Sequence, residues 1–529
     1  MNLSEERHIS PGLTSLSVGA LLLAILCALL YANSLDGEFQ FDDQTSIIEN
    51  ESLRTGRVID WWSYWPTRAV SYTSIGLDYR RHGLSPRGYH VTNVLIHGAA
   101  TMACAWLLWL LLAGSTPRTR ATAALLGAAL FAAHPLQTQA VAYIIQRASS
   151  LNALFYLSCC AFYLAAGMSR RRNLVLVAWL CGLLAMLSKE SALSLPFGLM
   201  LIDFTALRRA PGRLQRVAPF VLLALLPPIL VQAQSFGNDT AGLTGQASEV
   251  GRWQYLWTQT EIVLRYARLV VWPSGQSIDH EVTWRAVPWS GLAPLALAVH
   301  ACVLASAAVL WRQSHRLAAL PIVWLYVTLA PESSIYPIDD AMFEHRMYLP
   351  LFGVSLAFAL LLQRILTRRA ALGVALALII IAALSMTTVR RNLVWNTQES
   401  LWADALMKAP DKARPNMAVG WLAGNRGELE LARRHLLRAV EIDDDYAMAW
   451  NNLGVVADRS GDPELAVRAY SEASRLYPNE SILHSNRAAA LRRLGRLDES
   501  EAAFLRALEL DGGNRSARSG LAALREQRE

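Results

Sequence analysis

The sequence predicts an all-α protein in which a polytopic membrane domain is followed by a short α-solenoid. The chain has 529 residues, of which 53% are hydrophobic and 17% are charged, and its mean hydropathy is +0.25. Apolar segments long enough to cross a bilayer, or nearly so, recur as far as residue 389. From Ala413 onward the hydrophobicity falls and a period of 34 residues begins. These observations favour a membrane protein over a single soluble domain.

Apolar segments predict about eleven membrane spans. The first is predicted to be an uncleaved anchor, because it has no clear small-residue cleavage site. The segments are Leu13–Ala32, Val91–Ala113, Ala121–Ala133, Leu151–Gly167, Leu174–Leu187, Ala192–Leu207, Val217–Gln234, Pro288–Trp311, Leu317–Pro331, Tyr348–Leu366 and Ala371–Thr388.

Arginine clusters predict the orientation of these spans. With the N-terminus in the cytoplasm, every second loop is basic, which is the positive-inside pattern. Segment Tyr255–Trp272 carries internal charges and is predicted to pack on the outer face. The C-terminal region then lies outside, with the loops Asn33–His90, Phe236–Val287 and Glu332–Met347. The basic loops contain Arg118 and Arg120; Arg170 to Arg172; Arg208, Arg209, Arg213 and Arg216; Arg312 and Arg316; and Arg364, Arg368 and Arg369.

The net charge of +7 does not indicate a nucleic-acid partner, because the arginines form short clusters between apolar runs.

All six cysteines lie in apolar stretches without metal-ligand spacing. We therefore interpret them as buried thiols.

Residues 413–529 contain a repeated helical hairpin. Gly427, Gly461 and Gly495 are 34 residues apart, and small and large apolar residues follow at the same offset. This pattern resembles the tetratricopeptide repeat, with units at 413–446, 447–480 and 481–514 and a C-terminal capping helix. The predicted domains are 1–389, a connecting helix at 390–412, and the repeats at 413–529. Such arrays bind peptides or proteins in a concave groove; the alternative is a structural cap on the membrane domain.

Two adjacent carboxylates, Asp42 and Asp43, follow the first span. Like charges at this spacing raise one pKa, which is suitable for a general base. Taken alone, the pair is more simply explained as a helix or turn cap on a solvated loop.

Further ionisable residues stand at predicted outer ends of spans, where charge is costly. Lys189 is the sole lysine of the membrane region. Cations near carboxylates are suitable for a lipid-linked phosphosugar. The candidate substrate-binding residues are Arg147, Lys189, Glu190, Asp279, His280, Glu344, His345 and Arg346. No cofactor is certain, and a divalent metal at Asp42, Asp43, Asp279 or His280 remains open.

Several strings resemble the transmembrane and tetratricopeptide-repeat-containing O-mannosyltransferases and their bacterial relatives. They include FQFDDQTSIIEN from Phe39, AAHPLQTQAVAYIIQR from Ala132, LAMLSKESALSLP from Leu184 and EHRMYLP from Glu344. The resemblance implies a glycosyltransferase of the C type that uses a polyprenyl-phosphate sugar. It also implies that an acidic residue of the first outer loop, here Asp42 or Asp43, is the catalytic base.

The sequence thus predicts an inverting transfer of mannose or a similar sugar to a protein hydroxyl at the outer face of a membrane. Its partners would be the lipid-linked donor and a protein or peptide acceptor in the repeat groove. The composition favours a multi-pass protein of a bacterial inner membrane with periplasmic repeats. Two alternatives stay open: transfer to a glycan or lipid, and a non-catalytic scaffold for envelope or pilus assembly.

Overall fold

The structure is a computed structural model that describes residues 11–112, 114, 116–169, 171–207, 212–237, 250–334, 337–338 and 340–528. Among these residues all regular structure is helical. The predicted loop arginines Arg170, Arg208 and Arg209 lie outside the described residues, as does part of the outer loop after Phe236. The described residues form two compact units, one within 1–276 and 282–398 and the other within 277–281 and 399–529.

A helix forms in each of the eleven predicted spans. Hydrocarbon offers no water to the backbone N–H and C=O groups, so an apolar segment satisfies them with its own hydrogen bonds in a helix. The segment Tyr255–Trp272, which is predicted to pack on the outer face, is also helical, as α13. The helices of the first unit are α1 (Pro11–Leu30), α2 (Glu51–Arg54), α3 (Val58–Tyr64), α4 (Ala69–His82), α5 (Pro86–Leu111), α6 (Pro117–Ala133), α7 (Thr138–Ala142), α8 (Arg147–Ser169), α9 (Arg172–Met186), α10 (Leu195–Ala206), α11 (Arg213–Leu223), α12 (Leu226–Gly237), α13 (Arg252–Val271), α14 (Ala293–Arg312), α15 (Arg316–Leu329), α16 (Leu351–Leu366) and α17 (Ala370–Val394).

Helix length separates these segments into two groups. Four shorter apolar helices accompany the long ones, so the count of eleven spans stays a prediction. In the described part of the chain, five segments are long and apolar enough to cross a membrane: Ser17–Ser34, Pro86–Leu111, Ile144–Ser169, Ala293–Arg312 and Ala370–Val394.

One predicted span is not continuous. Segment Val217–Gln234 is divided between α11 and α12, which are separated at Ala224 and Leu225. The prolines at 227 and 228 lack a backbone N–H and clash with the preceding turn, so they stop an α-helix from passing through unbroken.

The core of the first unit lies where α8 packs against α5 and α9, and where α6 packs against α5 and α16. Large aromatic side chains such as Tyr156 and Trp324 are fully buried there, with ring centroids 5.5 Å apart. This bundle supports the loops at its predicted outer end.

The second unit consists mainly of antiparallel helix pairs. The predicted connecting helix at 390–412 is divided between the end of α17 and a separate helix, α18. The helices are α18 (Gln398–Lys408), α19 (Ala413–Asn425), α20 (Leu429–Ile442), α21 (Ala447–Arg459), α22 (Pro463–Leu476), α23 (Ser481–Arg493), α24 (Leu497–Leu510) and α25 (Arg515–Arg528).

Glycine is required at two kinds of position in these repeats. Gly427, Gly461 and Gly495 have φ values of 82°, 76° and 74°, which only glycine adopts readily. Gly454 faces the ring of Tyr470, where an added Cβ would come within 2.6 Å of a ring carbon. The first requirement fixes the turns, and the second fixes how closely α21 and α22 approach.

We expect Gly454→Ala to destabilise the repeat unit by about 1–3 kcal/mol, because the new methyl group overpacks a filled interface. Limited proteolysis of the full-length protein should show earlier cleavage between residues 447 and 480. The matched control is Gly512→Ala, whose Cβ would meet only a carbonyl oxygen at 3.9 Å. Equal protease resistance of the two variants would contradict the expectation.

Candidate active site

The adjacent aspartates lie in a short, strained segment after the first span. Phe41 has a φ of 46°, in the left-handed region that bulky residues rarely adopt. A single π-helical turn, Gln44–Ile48, follows the pair. Both features are frequent at functional sites, where the surrounding structure holds a backbone in an unfavourable conformation.

Asp43 is fully buried, and its carboxylate accepts hydrogen bonds from the backbone. One carboxylate oxygen accepts the N–H of Gln40 at 3.0 Å, and the other accepts the N–H of Ile145 at 2.8 Å. Burial raises the pKa of Asp43 to about 7, against the lowering effect of these two hydrogen bonds. Asp43 therefore joins the first outer loop to the segment before α8.

Asp42, in contrast, is exposed. Its backbone N–H donates to the hydroxyl of Tyr143 at 2.8 Å, and its carboxylate is hydrogen-bonded to the same hydroxyl. The two aspartates thus have different environments, and of the two it is Asp42 that a substrate can reach.

A second group of charged residues surrounds Lys189, which we call the cationic cluster: Arg68, Lys189, Glu190, Glu332, His345 and Arg346. Lys189 pairs with Glu332 at 2.7 Å and donates to the Ser149 hydroxyl at 3.0 Å. Arg68 binds both carboxylate oxygens of Glu190, at 3.0–3.2 Å. The cluster brings together four of the predicted site residues: Lys189, Glu190, His345 and Arg346.

The remaining cation of the cluster is held by backbone carbonyl groups. Arg346 donates to the carbonyl oxygens of Asp340 and Ala341 at 2.6 and 2.8 Å. Its burial would lower its pKa, but the nearby tyrosines and Glu332 raise the pKa above the usual value. Arg346 is therefore charged and fixed in orientation.

Both carboxylates of the cluster are ionised. Burial alone would raise the pKa of Glu190, but the charge and hydrogen bonds of Arg68 lower it to about 2. Burial likewise opposes ionisation of Glu332, whose pKa is lowered by the charges of Lys189 and Arg346. The cluster consequently holds three cations against two carboxylates.

His345 is neutral within this cluster and has spare hydrogen-bonding capacity. Burial lowers its pKa well below the usual value, and the charges of Lys189, Arg346 and Arg68 lower it further. Its Nδ1 atom is buried without a hydrogen-bond partner among the described residues. An orphaned polar atom beside excess positive charge is suitable for an anionic oxygen-rich ligand such as a phosphate.

Tyr72 connects the cationic cluster with the exposed aspartate. Burial raises its pKa, the charge of Arg68 lowers it, and the charge of Asp42 raises it again. Both charged groups therefore lie within electrostatic range of one buried tyrosine. Trp65, which is exposed, stacks on Tyr72, and its ring centroid lies 4.5 Å from the Arg68 guanidinium carbon.

The other predicted site residues lie elsewhere. Arg147 is fully buried in an ion pair with Asp78 at 2.7 Å and does not join the cationic cluster. Glu344 accepts from the side chain of Gln276 at 2.9 Å. Asp279 and His280 belong to the second unit, where Lys412 binds the Asp279 carboxylate and the His280 carbonyl.

Four residues of the site were not among the sequence candidates: Arg68, Tyr72, Glu332 and Tyr143. Arg68 had no distinguishing signal, because the predicted outer loop Asn33–His90 also contains Arg54, Arg57, Arg80, Arg81 and Arg87. Tyr143 had no such signal, since its role depends on a contact with a residue 101 positions away. Among the described residues no group of three or more His, Cys, Asp or Glu side chains could hold a metal ion.

Known proteins resemble most of this chain. A protein O-mannosyl-transferase of Caenorhabditis elegans is 26% identical over 84% of this chain, and one of Homo sapiens is 25% identical over 81%. The protein O-mannosyl-transferases are homologues of this chain. The chain spans 64% and 66% of the length of these two homologues.

Two further similarities concern parts of the architecture. The tetratricopeptide repeat family matches residues 417–480 and 456–515, which confirms the predicted repeats. The crystal structure of ArnT from Cupriavidus metallidurans, bound to undecaprenyl phosphate, covers 85% of this chain and 79% of its own, with 14% identity and a TM-score of 0.40. That TM-score is too low to carry a structural argument. The homologues and the apolar helices together establish a multi-pass membrane protein.

We expect the contribution of Asp43 to the stability of the protein to fall as pH rises from 5 to 8. The pKa of Asp43 is about 7 in the folded protein, whereas the ordinary pKa of an aspartate is 3.8. A carboxyl group whose pKa is higher in the folded than in the unfolded protein stabilises the fold fully when the pH is below its unfolded pKa. This stabilisation is lost as the pH rises through the folded pKa. Over this range the loss is roughly 3 kcal/mol, at about 1.4 kcal/mol per pKa unit.

The Tm of Asp43→Asn relative to that of wild type should therefore rise between pH 5 and pH 8, because asparagine does not ionise. Asp36→Asn is the control, since Asp36 is exposed and pairs with Arg87 on the surface. The expectation is wrong if Asp43→Asn keeps the full pH dependence of wild type.

Proposed function

We propose that this chain is a membrane glycosyltransferase that transfers mannose or a similar sugar from a polyprenyl-phosphate donor to a protein hydroxyl. The observation that carries the proposal is that the exposed Asp42 and Arg68 of the partly buried cationic cluster both act electrostatically on Tyr72. A carboxylate and a phosphate-binding group are the two components that this transfer requires.

In this mechanism Asp42 accepts the proton of the acceptor hydroxyl as its oxygen attacks the anomeric carbon of the sugar. The bond between that carbon and the phosphate oxygen breaks, and the electron pair leaves with the polyprenyl phosphate. Because attack and departure occur on opposite faces, the anomeric configuration inverts. Lys189, Arg68 and Arg346 stabilise the negative charge that develops on the leaving phosphate.

The homologues support the choice of reaction, and the repeats support a protein acceptor. Solenoid repeats present a concave surface that suits an extended peptide. We place the transfer at the outer face of the membrane, which would be the periplasmic face of a bacterial inner membrane. This location rests on the positive-inside pattern of the loop arginines. Transfer to a glycan or lipid would use the same groups and differ only in the acceptor.

We expect Asp42→Asn to lower sugar transfer by at least about a hundredfold, the usual scale for losing a general base. Transfer from a panel of radiolabelled polyprenyl-phosphate sugars would be measured with purified protein in lipid nanodiscs and an envelope extract as acceptor. Asp36→Asn removes an exposed carboxylate from the same loop and should transfer like wild type.

Full transfer by Asp42→Asn would exclude this residue as the base. If wild type consumes no donor, and cells carrying Asp42→Asn keep the wild-type phenotype, the scaffold alternative replaces the enzyme.

The cationic cluster makes a separate prediction about donor binding. We expect the double variant Lys189→Met, Glu332→Gln to bind polyprenyl phosphate about tenfold or more weakly, because a charged hydrogen bond contributes about 1.5–3 kcal/mol. Removing both partners avoids leaving a buried carboxylate without its counter-ion.

Affinity would be measured by native mass spectrometry of the nanodisc-released protein. Lys408→Gln is the control, since Lys408 pairs with Asp404 on the surface of α18. Equal affinity of the double variant and wild type would remove Lys189 from the donor site.

A further inference from the structure

Tyr143 lies between α7 and α8, buried except for about 1% of its surface. Its hydroxyl oxygen accepts the backbone N–H of Asp42 at 2.8 Å and is hydrogen-bonded to the Asp42 carboxylate. One phenol thus contacts both the main chain and the side chain of the exposed aspartate. Two aromatic rings pack against it.

Trp395 and Phe41 hold the ring of Tyr143. The ring of Trp395 stacks on it with centroids 5.5 Å apart and planes 23° apart, and the ring of Phe41 lies 6.4 Å away. Trp395 also accepts, through its carbonyl oxygen, a hydrogen bond from the Gln40 side chain at 3.2 Å. The same two residues that pack against Tyr143 therefore border the segment that carries Asp42.

The segment before Asp42 is fixed from the end of the last membrane helix as well. The N–H of Glu38 donates to the carbonyl of Asn396 at 2.9 Å, and the side chain of Gln398 donates to the carbonyl of Phe39 at 3.2 Å. With Asp43 bonded to Ile145 on the other side, little freedom is left to the backbone at residue 42. The one remaining variable is the orientation of the Asp42 carboxylate.

We propose that Tyr143 is a positioning residue that sets this orientation through its hydroxyl group. The proposal rests on the proposed function, in which Asp42 is the base. The phenol donates its proton to one carboxylate oxygen and leaves the other oxygen directed towards the acceptor. Holding a reacting group in its productive geometry accelerates a reaction without changing how the donor binds.

Burial and the neighbouring carboxylates support this role, because they raise the pKa of Tyr143 well above its usual value. The phenol therefore remains a hydrogen-bond donor throughout the working pH range. A tyrosine needed for packing alone would use its ring, whereas here the hydroxyl makes its contacts with Asp42.

The test is Tyr143→Phe, which keeps the ring against Trp395 and removes only the hydroxyl. We expect kcat to fall about tenfold or more while KM for the polyprenyl-phosphate sugar stays within about twofold. In an Asp42→Asn background the same substitution should cause no further loss, because the group it positions is already absent. Tyr348→Phe is the matched control, a buried tyrosine whose hydroxyl contacts His97, and it should keep the wild-type kcat.

Each outcome has a defined meaning. If Asp42→Asn is inactive and Tyr143→Phe has the wild-type kcat, the positioning role is wrong although the proposed function stands. A loss that also appears undiminished in the Asp42→Asn background, or that comes with lost binding of polyprenyl phosphate, would likewise overturn it. If Asp42→Asn is fully active, Asp42 is not the base, and the proposed function is contradicted whatever the kcat of Tyr143→Phe.

Discussion

The ion pair between Arg147 and Asp78 is the constraint on which the predicted outer end of the membrane unit depends. Both side chains are buried, and a charge in such a place must be compensated. Arg147 also donates to Asn93 and to the carbonyl of Tyr89, and so joins the start of α8 to α4 and α5. Tyr72 lies on α4 and Tyr143 lies in the segment between α7 and α8, so this one guanidinium fixes two sides of the candidate site.

In the cationic cluster the charges are also paired, but the pairing is incomplete. Its carboxylates hold Arg68 and Lys189 in defined positions, yet they leave one positive charge in excess. A cation that is already ordered and partly desolvated need not be rearranged when a phosphate arrives. A fully neutralised cluster would be more stable alone but would attract an anion less. The arrangement therefore favours binding of a charged group over stability of the empty site.

Much of the fold could be predicted because periodicity and hydrophobic length are local properties of a sequence. A helix occurs in each predicted span, and the repeats follow their 34-residue period. The site could be predicted only in part. Charge at the ends of spans indicated Lys189, His345 and Arg346, but the different roles of Asp42 and Asp43 depend on the buried N–H of Ile145, 102 residues from Asp43. A contact between residues so far apart in the chain cannot be predicted from the local sequence.

The left-handed backbone of Phe41 has a consequence for directed evolution. Glycine would relieve strain of roughly 1–2 kcal/mol at this position. It would also remove the ring beside Tyr143 and free the backbone next to Asp42. That gain is offset by the lost ring contact and by the larger conformational entropy of glycine in the unfolded chain, so a selection for heat tolerance alone would have little preference at this position. A selection for turnover would retain the aromatic side chain.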